Sequence, residues 1–240
     1  MKRSIILSLA ITLLAAPASG FKQENLDKLK ATNACEKCDL RETYLREANL
    51  FRAKLTGANL VRTYLREANL TGADLSDSEL SNADLTGAEL NFANLLRSDL
   101  RKADLSDSDL REANLAGADL SDSDLRKANL SNAALDEAQL AFADLREANL
   151  FRTYLRKANL RDSDLRKANL SKADLSDSDL AGADLRKANL AGADLTGAEL
   201  NFADLRDSDL RDSDLRDSDL TGTTFCNTTM PDGSVNNADC

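Results

Sequence analysis

Residues 111–130 read REANLAGADLSDSDLRKANL, with leucine at positions 115, 120, 125 and 130. The same spacing runs without a break from Leu40 to Leu220, thirty-seven leucines in one phase. On an α-helix a five-residue step carries the side chain about 140° past a full circle, so these leucines would spiral and share no stripe. On a continuous β-strand an odd step sends successive leucines to opposite faces. What keeps them together is a chain that changes direction once every five residues, turning each leucine back toward one axis. The periodicity predicts a solenoid.

The other phases agree. Two residues before each leucine stands a small residue, as in Ala48, Ala58, Ala68, Ser78, Ala83, Ser123 and Thr153. Residues two apart in extended chain share a face, so each unit sends one large and one small side chain inward to interdigitate. The residue between them is mostly Asp or Asn (Asn49, Asp74, Asp104, Asn129), and the two after the leucine are mostly polar or glycine. Those three phases face water. Eight of the ten glycines fall two residues after the leucine, where a turn with positive φ best tolerates Gly, Asn or Asp. Neither proline, Pro17 or Pro231, lies in the array, as expected where every coil donates to a hydrogen-bond ladder.

The tandem A-(D/N)-L-x-x pattern over about residues 36–230 resembles the pentapeptide-repeat proteins. That resemblance implies an all-β solenoid, a right-handed quadrilateral β-helix with four pentapeptides per coil and the leucine and small residue inside. It would have about nine to ten coils, a length of roughly 45 Å at ~4.8 Å per coil, and a short N-terminal capping helix. The expected organisation is a signal peptide over 1–18, an N-terminal cap over 19–35, the β-helix over 36–225 and a disulfide-closed cap over 226–240.

Residues 1–20 carry the marks of a secretory leader: Lys2 and Arg3, an apolar run from Ile5 to Leu14, then Ala16-Pro17-Ala18 as a cleavage site. The apolar run is too short to span a membrane. Cleavage near Ala18 would leave a periplasmic or secreted protein with no membrane insertion, its net charge moved from −10 to −12 by the loss of two basic residues. Residues 21–33 place Leu26 and Leu29 at helical spacing, so a short helix is expected over the open solenoid end.

Counting in fives puts Cys35 in the leucine phase and Cys38 in the small-residue phase, both pointing into the first coil. A redox C-x-x-C would want a βαβ setting that this chain lacks. Cys226 and Cys240 bracket a polar tail with a turn at Pro231-Asp232-Gly233. A bond needs Cα atoms within ~7 Å, while the ends of the implied rod lie about 40 Å apart at the spacing of paired strands. The expected bridges are therefore Cys35 with Cys38 and Cys226 with Cys240.

Four units per coil would stack residues twenty apart. One face then carries Arg46, Arg66, Arg126, Arg146, Arg166, Arg186 and Arg206, beside a column of mixed sign with Glu47, Glu67 and Glu147 against Lys127, Lys167 and Lys187. Arginines ~5 Å apart repel unless carboxylates intervene, which the flanking phases supply. Tyr44 and Tyr64 should stack on one face, with Phe51 on the next. The candidate interaction surface is thus Arg126, Arg146, Arg166, Arg186 and Arg206 with Tyr44 and Tyr64. Near the C-terminus, RDSDL repeats three times over 206–220, but its aspartates wrap successive faces and no EF-hand spacing is present, so no metal site is expected.

Histidine is absent, which removes imidazole bases, His-containing triads and His-ligated metals. Carboxylates on a repeated convex surface with no cleft are poor acids or bases, and no Gly-rich phosphate loop occurs. The chain reads as a non-enzyme without cofactor: an exported monomeric scaffold or protein-interaction module whose partner is a protein or envelope polymer and not nucleic acid. An alternative follows from the family, whose gyrase-protecting members resemble duplex DNA. Net negative charge suits a DNA mimic that binds gyrase or topoisomerase; the leader and the interspersed Arg and Lys oppose it. A hydrolase of envelope polymers is the weakest reading.

Overall fold

The computed structural model describes residues 22–240. The expected signal peptide, 1–18, lies outside the described residues. From Ala34 to Thr229 the residue preceding each leucine-phase position bridges, in parallel, its counterpart twenty residues on, as in Ala34 with Lys54, Asn129 with Asn149 and Asp209 with Thr229. A register of twenty with a corner every five residues makes a coil of four sides, one pentapeptide to a side. The bridged stretch makes about ten coils, ~48 Å at the spacing of paired chains. It reaches a few residues past the 36–225 expected, because pairing uses the backbone of the position before the leucine and does not require the leucine itself.

The backbone accounting explains why each phase has its composition. In the side built on Leu130, Leu130 N–H donates to Asn149 O one coil on (2.7 Å), and Asn132 N–H to Phe151 O (3.0 Å). Ala133 N–H closes the corner onto Leu130 O (3.0 Å), and Ala134 N–H donates back to Ala113 O (2.9 Å). The fifth donor, Ser131 N–H, is taken by the side chain of Asn129 (3.2 Å to Oδ1). Asp and Asn have the length to reach an amide two residues on, which accounts for their dominance in this phase. Each side offers only one bridged residue, since the corner consumes the rest. The coil is therefore a stack of single bridges, and the regular strands among the described residues are the short pair β1 (Thr228–Thr229) and β2 (Val235–Asn236).

At every corner from Lys37 to Asn227 the second residue after the leucine phase has positive φ. With the bond closing the corner and ordinary φ at the preceding residue, this is a type II turn. The expectation of Gly, Asn or Asp is met at some corners, yet Glu, Lys, Arg and Phe142 also adopt the conformation. Their intrinsic reluctance, of order 1 kcal/mol each, is overridden by ladder bonds above and below. At Gly222 the missing side chain has a further use: a Cβ there would stand 2.7 Å from the Phe202 ring.

The column is closely filled. Every fifth-position leucine from Leu55 to Leu210 is at most 1 % exposed, and the alanines two residues before them are at most 2 % exposed. Where the small residue is hydroxylated it donates inward, as in Ser123 Oγ to Leu120 O (2.6 Å) and Thr153 Oγ1 to Leu130 O of the preceding coil (2.9 Å); Ser213 Oγ, without a partner among the described residues, is an exception. Buried polar groups so satisfied cost little.

Helix α1 (Gln23–Thr32) lies over the first coil, burying Leu26 and Leu29, and ends on Asn33 in the left-handed conformation with its N–H on Leu29 O. Cys35 and Cys38 form a buried disulfide with Cα atoms 5.3 Å apart. Cys226 and Cys240 form the second, Cα atoms 4.9 Å apart, and this bridge holds β2 antiparallel against β1. The C-terminal end remains less covered: Leu215, Leu220, Phe225 and Met230 are half-buried. No helix among the described residues is long and apolar enough to cross a membrane.

Candidate functional site

The arginine column stands beside a column of aspartates. Arg126 Nε donates to Asp124 Oδ1 (2.8 Å), two residues earlier across the leucine, and also faces Asp144 Oδ2 of the next coil (3.7 Å). The pattern repeats upward: Arg146 with Asp144 and Asp164, Arg166 with Asp164 and Asp184, Arg186 with Asp184 and Asp204, the inter-coil distances all 3.5 Å. Arg206 closes the series on Asp204 (2.9 Å). The result is a continuous zipper of alternating charge. Its within-side half was missed in the sequence, although the signal was there: in D-L-R the acid and base flank one inward residue and therefore share a face. The same D-L-R pairing occurs on other faces at Arg101, Arg111, Arg211 and Arg216.

At the N-terminal end the aspartate column is replaced by Tyr44 and Tyr64. Their rings stack 4.6 Å apart at 3°, and Tyr44 is 78 % exposed. Arg46 and Arg66, losing the aspartate partner, turn to Glu47 (3.1 Å) and Glu67 (3.4 Å) respectively. Phe51 lies on the next side under the Arg52 guanidinium, 5.1 Å from the ring centre, an arrangement repeated by Phe151 and Arg152. The sequence reading passed over Phe92, Phe142 and Phe202, which sit on corners and are more than half exposed.

Two shallow clefts run between the arginine column and its neighbour: one of about 310 Å³ lined by Arg166, Lys167, Arg186, Lys187, Arg206 and Asp207, the other of about 250 Å³ around Arg126 and Arg146. Lys167 is paired with Glu147 (3.1 Å) and the arginines with their aspartates, so these clefts present mixed charge. A larger cleft, about 560 Å³, opens at the N-terminal end between α1 and the segment Tyr44 to Phe51. No group of three or more acidic or cysteine side chains is placed to hold a metal ion among the described residues.

Several carboxylates beside arginines are held in the ionised form. The Arg101 hydrogen bond holds the Asp99 carboxyl below the usual range against the opposing effect of burial, and Arg206 and Arg211 do the same for Asp204 and Asp209. At Asp144 burial is the largest single influence and acts upward, but the hydrogen bonds and charge of Arg146 together outweigh it. Because these folded pKa values lie below the unfolded ~3.9, the unfolded chain takes up protons first as pH falls. The contribution of these four carboxylates is complete above about pH 4 and is lost as pH drops through their folded values. Denaturant midpoints should therefore be level from about pH 5 to 8, where no histidine titrates, and fall below about pH 4. A midpoint unchanged down to about pH 2 would contradict this role of the carboxylates.

Comparison with known proteins places this architecture. The family model described as pentapeptide repeats matches in overlapping blocks from 35–66 to 208–239. Among solved structures, HetL, a pentapeptide repeat protein involved in heterocyst differentiation regulation from the cyanobacterium Nostoc sp. strain PCC 7120, is 34% identical. That match covers 90% of this chain and 99% of HetL, with a TM-score of 0.62. QnrB1, a plasmid-mediated fluoroquinolone resistance protein, is 24% identical over 79% of this chain and 91% of its own, with a TM-score of 0.42. No curated protein matches the chain. The family and the HetL neighbour imply that the solenoid is a right-handed β-helix. With repeat blocks running from the first disulfide to the C-terminal tail, the chain belongs to the pentapeptide-repeat family.

Proposed function

We propose that this protein is an exported, non-catalytic scaffold or protein-interaction module that presents a rigid rod of charged and aromatic side chains to a partner protein or polymer of the cell envelope. The observation that carries the reading is the self-sufficiency of the coil. Most of its N–H groups are consumed internally, its core is filled, and carboxylates such as Asp99 and Asp204 are stabilised as anions by neighbouring guanidinium groups. What is left for function is a surface of side chains at fixed heights. The leader read from residues 1–18 supports delivery to the periplasm or beyond, and the two disulfides suit an oxidising compartment.

Cell fractionation tests export: a processed form in the periplasm or medium is expected, and a cytoplasmic protein retaining residues 5–14 rejects it. A pull-down from envelope extracts with the processed, oxidised protein tests interaction, with Arg166→Glu combined with Arg186→Glu as the comparison. A partner retained by the parent chain and lost by the variant supports the module. The DNA-mimic alternative rests on the net charge of −10. It predicts inhibition or protection of gyrase in a supercoiling assay with purified protein; the zipper of alternating charge favours no effect.

A further inference from the structure

We infer that the N-terminal end of the rod is an acceptor edge for one acidic segment of a partner protein, which bends once over the corner at Arg46-Glu47 and pairs through its backbone with the sides of Tyr44 and Asn49. This rests on the interaction-module reading and gives it a site and a partner class.

Inside the rod each side draws on the coil before it. Tyr64 N–H donates to Thr43 O (2.9 Å), while Tyr64 O and Arg66 O accept from Leu45 and Glu47 N–H (2.8 and 2.9 Å). Asn69 N–H donates to Ala48 O (3.0 Å), and Asn69 O accepts from Leu50 N–H (2.7 Å). Among the described residues the first coil has no predecessor, and the N-terminal cap stands in for it at the two flanks: Asn25 Nδ2 donates to Asp39 O (3.2 Å) and Asn33 Nδ2 to Phe51 O (2.8 Å). Between those flanks, Tyr44 N–H and O, Arg46 O, and Asn49 N–H and O have no partner among the described residues. Donors and acceptors thus remain on two adjacent sides, in the pattern that twenty residues later is fully used. An open edge of this kind pairs with extended chain through its backbone.

The space matches the edge. The cleft of about 560 Å³ is walled by Leu29, Lys30 and Asn33 of the cap and floored by the Tyr44–Phe51 segment. Its floor is apolar and incompletely covered: Leu45 and Leu50 are each 4 % exposed and Ala48 is half-buried, whereas Leu65, Leu70 and Ala68 one coil further in are fully hidden. Lys30 and Arg46 are the ionisable groups of the wall besides the Tyr44 phenol; Arg46 is held by Glu47 and Glu67 (3.1 and 3.7 Å), whereas Lys30 is a cation with no ion pair among the described residues. A negatively charged segment is the complementary occupant. A second copy of the rod does not fit, because a whole coil brings four sides to one level and would meet α1 over the other half of the end. A single segment avoids the helix.

The test uses the full oxidised chain and three blocked hexapeptides of alternating Val and Thr: one ended by Glu and Asp, one by Lys, and one acidic but N-methylated at alternate residues. Amide NMR should show the acidic peptide shifting and protecting Tyr44 and Asn49, with no protection from the N-methylated form. The Lys-ended peptide should bind at least about fivefold more weakly, and Lys30→Glu should reverse that preference. The inference is overturned by equal binding of the N-methylated peptide, by shifts lying elsewhere on the rod, by indifference to Lys30→Glu, or by no binding. It is also overturned if Tyr44 and Asn49 are already protected in the peptide-free chain, since residues before Lys22 would then fill the edge. Any of these results combined with a partner captured through the arginine face would leave the broader module reading intact.

Discussion

Leu130→Ala lowers the unfolding free energy by about 2–5 kcal/mol, and the upper half of that range is expected. The side chain is fully buried at mid-column, with Leu110 and Leu150 stacked one coil below and above. The size of the loss depends on how far the surroundings can collapse into the cavity. Here the backbone resists: Leu130 N–H and Asn129 N–H tie this side to both neighbouring coils at 2.7 and 2.9 Å, so the coils cannot approach to fill the space. Arg126→Ala, by contrast, removes an exposed guanidinium and should leave the denaturant midpoint almost unchanged. Urea unfolding of both variants is the measurement. Equal tolerance at the two positions would contradict the inward assignment of the leucine phase. In a quasi-one-dimensional molecule a weakened central coil can also uncouple the halves, so a second transition in Leu130→Ala would be consistent with the architecture.

Reduction of Cys226–Cys240 should cost the C-terminal cap about 3 kcal/mol, the chain-entropy value for closing a loop of this size. The bridge spans fourteen residues and holds β2 against β1 with few other contacts: Asp239 N–H to Phe225 O (2.8 Å), Phe225 N–H to the Asp239 carboxylate (2.8 Å), and Asn227 N–H to Asn237 Oδ1 (2.8 Å). Beneath it Leu215, Leu220 and Phe225 are already half-buried, so release of the tail should fray the last coil. Each coil contacts only its neighbours, and the damage should stay local. Hydrogen exchange should show lost protection at Thr229 and Asp239 while Leu130 stays protected; a uniform loss along the rod would refute the local account. Cys35–Cys38 closes a far shorter loop and should matter less.

The corner residues show where reading the sequence stops short. Glycine clustering pointed to positive φ two residues after each leucine, yet nothing in Lys127, Glu147 or Phe142 announces that conformation; it is imposed by ladder bonds from coils twenty residues away. The candidate surface has the same history. That Arg126 and Arg146 stack followed from the four units per coil that the family resemblance implies, whereas the bidentate hold of each arginine on the aspartate two residues earlier needs the side chains in place. Tyr44 and Tyr64 belong to this comparison too, since they occupy the aspartate column and so release Arg46 and Arg66 to glutamates.

By itself, the five-residue period determined which side chains turn inward and which face water, and that a rod would result. It could do so because inward placement depends only on phase, and phase is local and repeats without interruption from Leu40 to Leu220. The tertiary structure decided the register of twenty and the capture of spare amides by Asp or Asn side chains where these precede them, as Asn129 does for Ser131. It also decided how far the N-terminal end is covered, because Asn25 and Asn33 satisfy Asp39 O and Phe51 O while backbone groups of Tyr44, Arg46 and Asn49 have no partner among the described residues. Those outcomes depend on contacts between residues distant in the chain, and at the ends of the rod the repeat no longer supplies the missing partner.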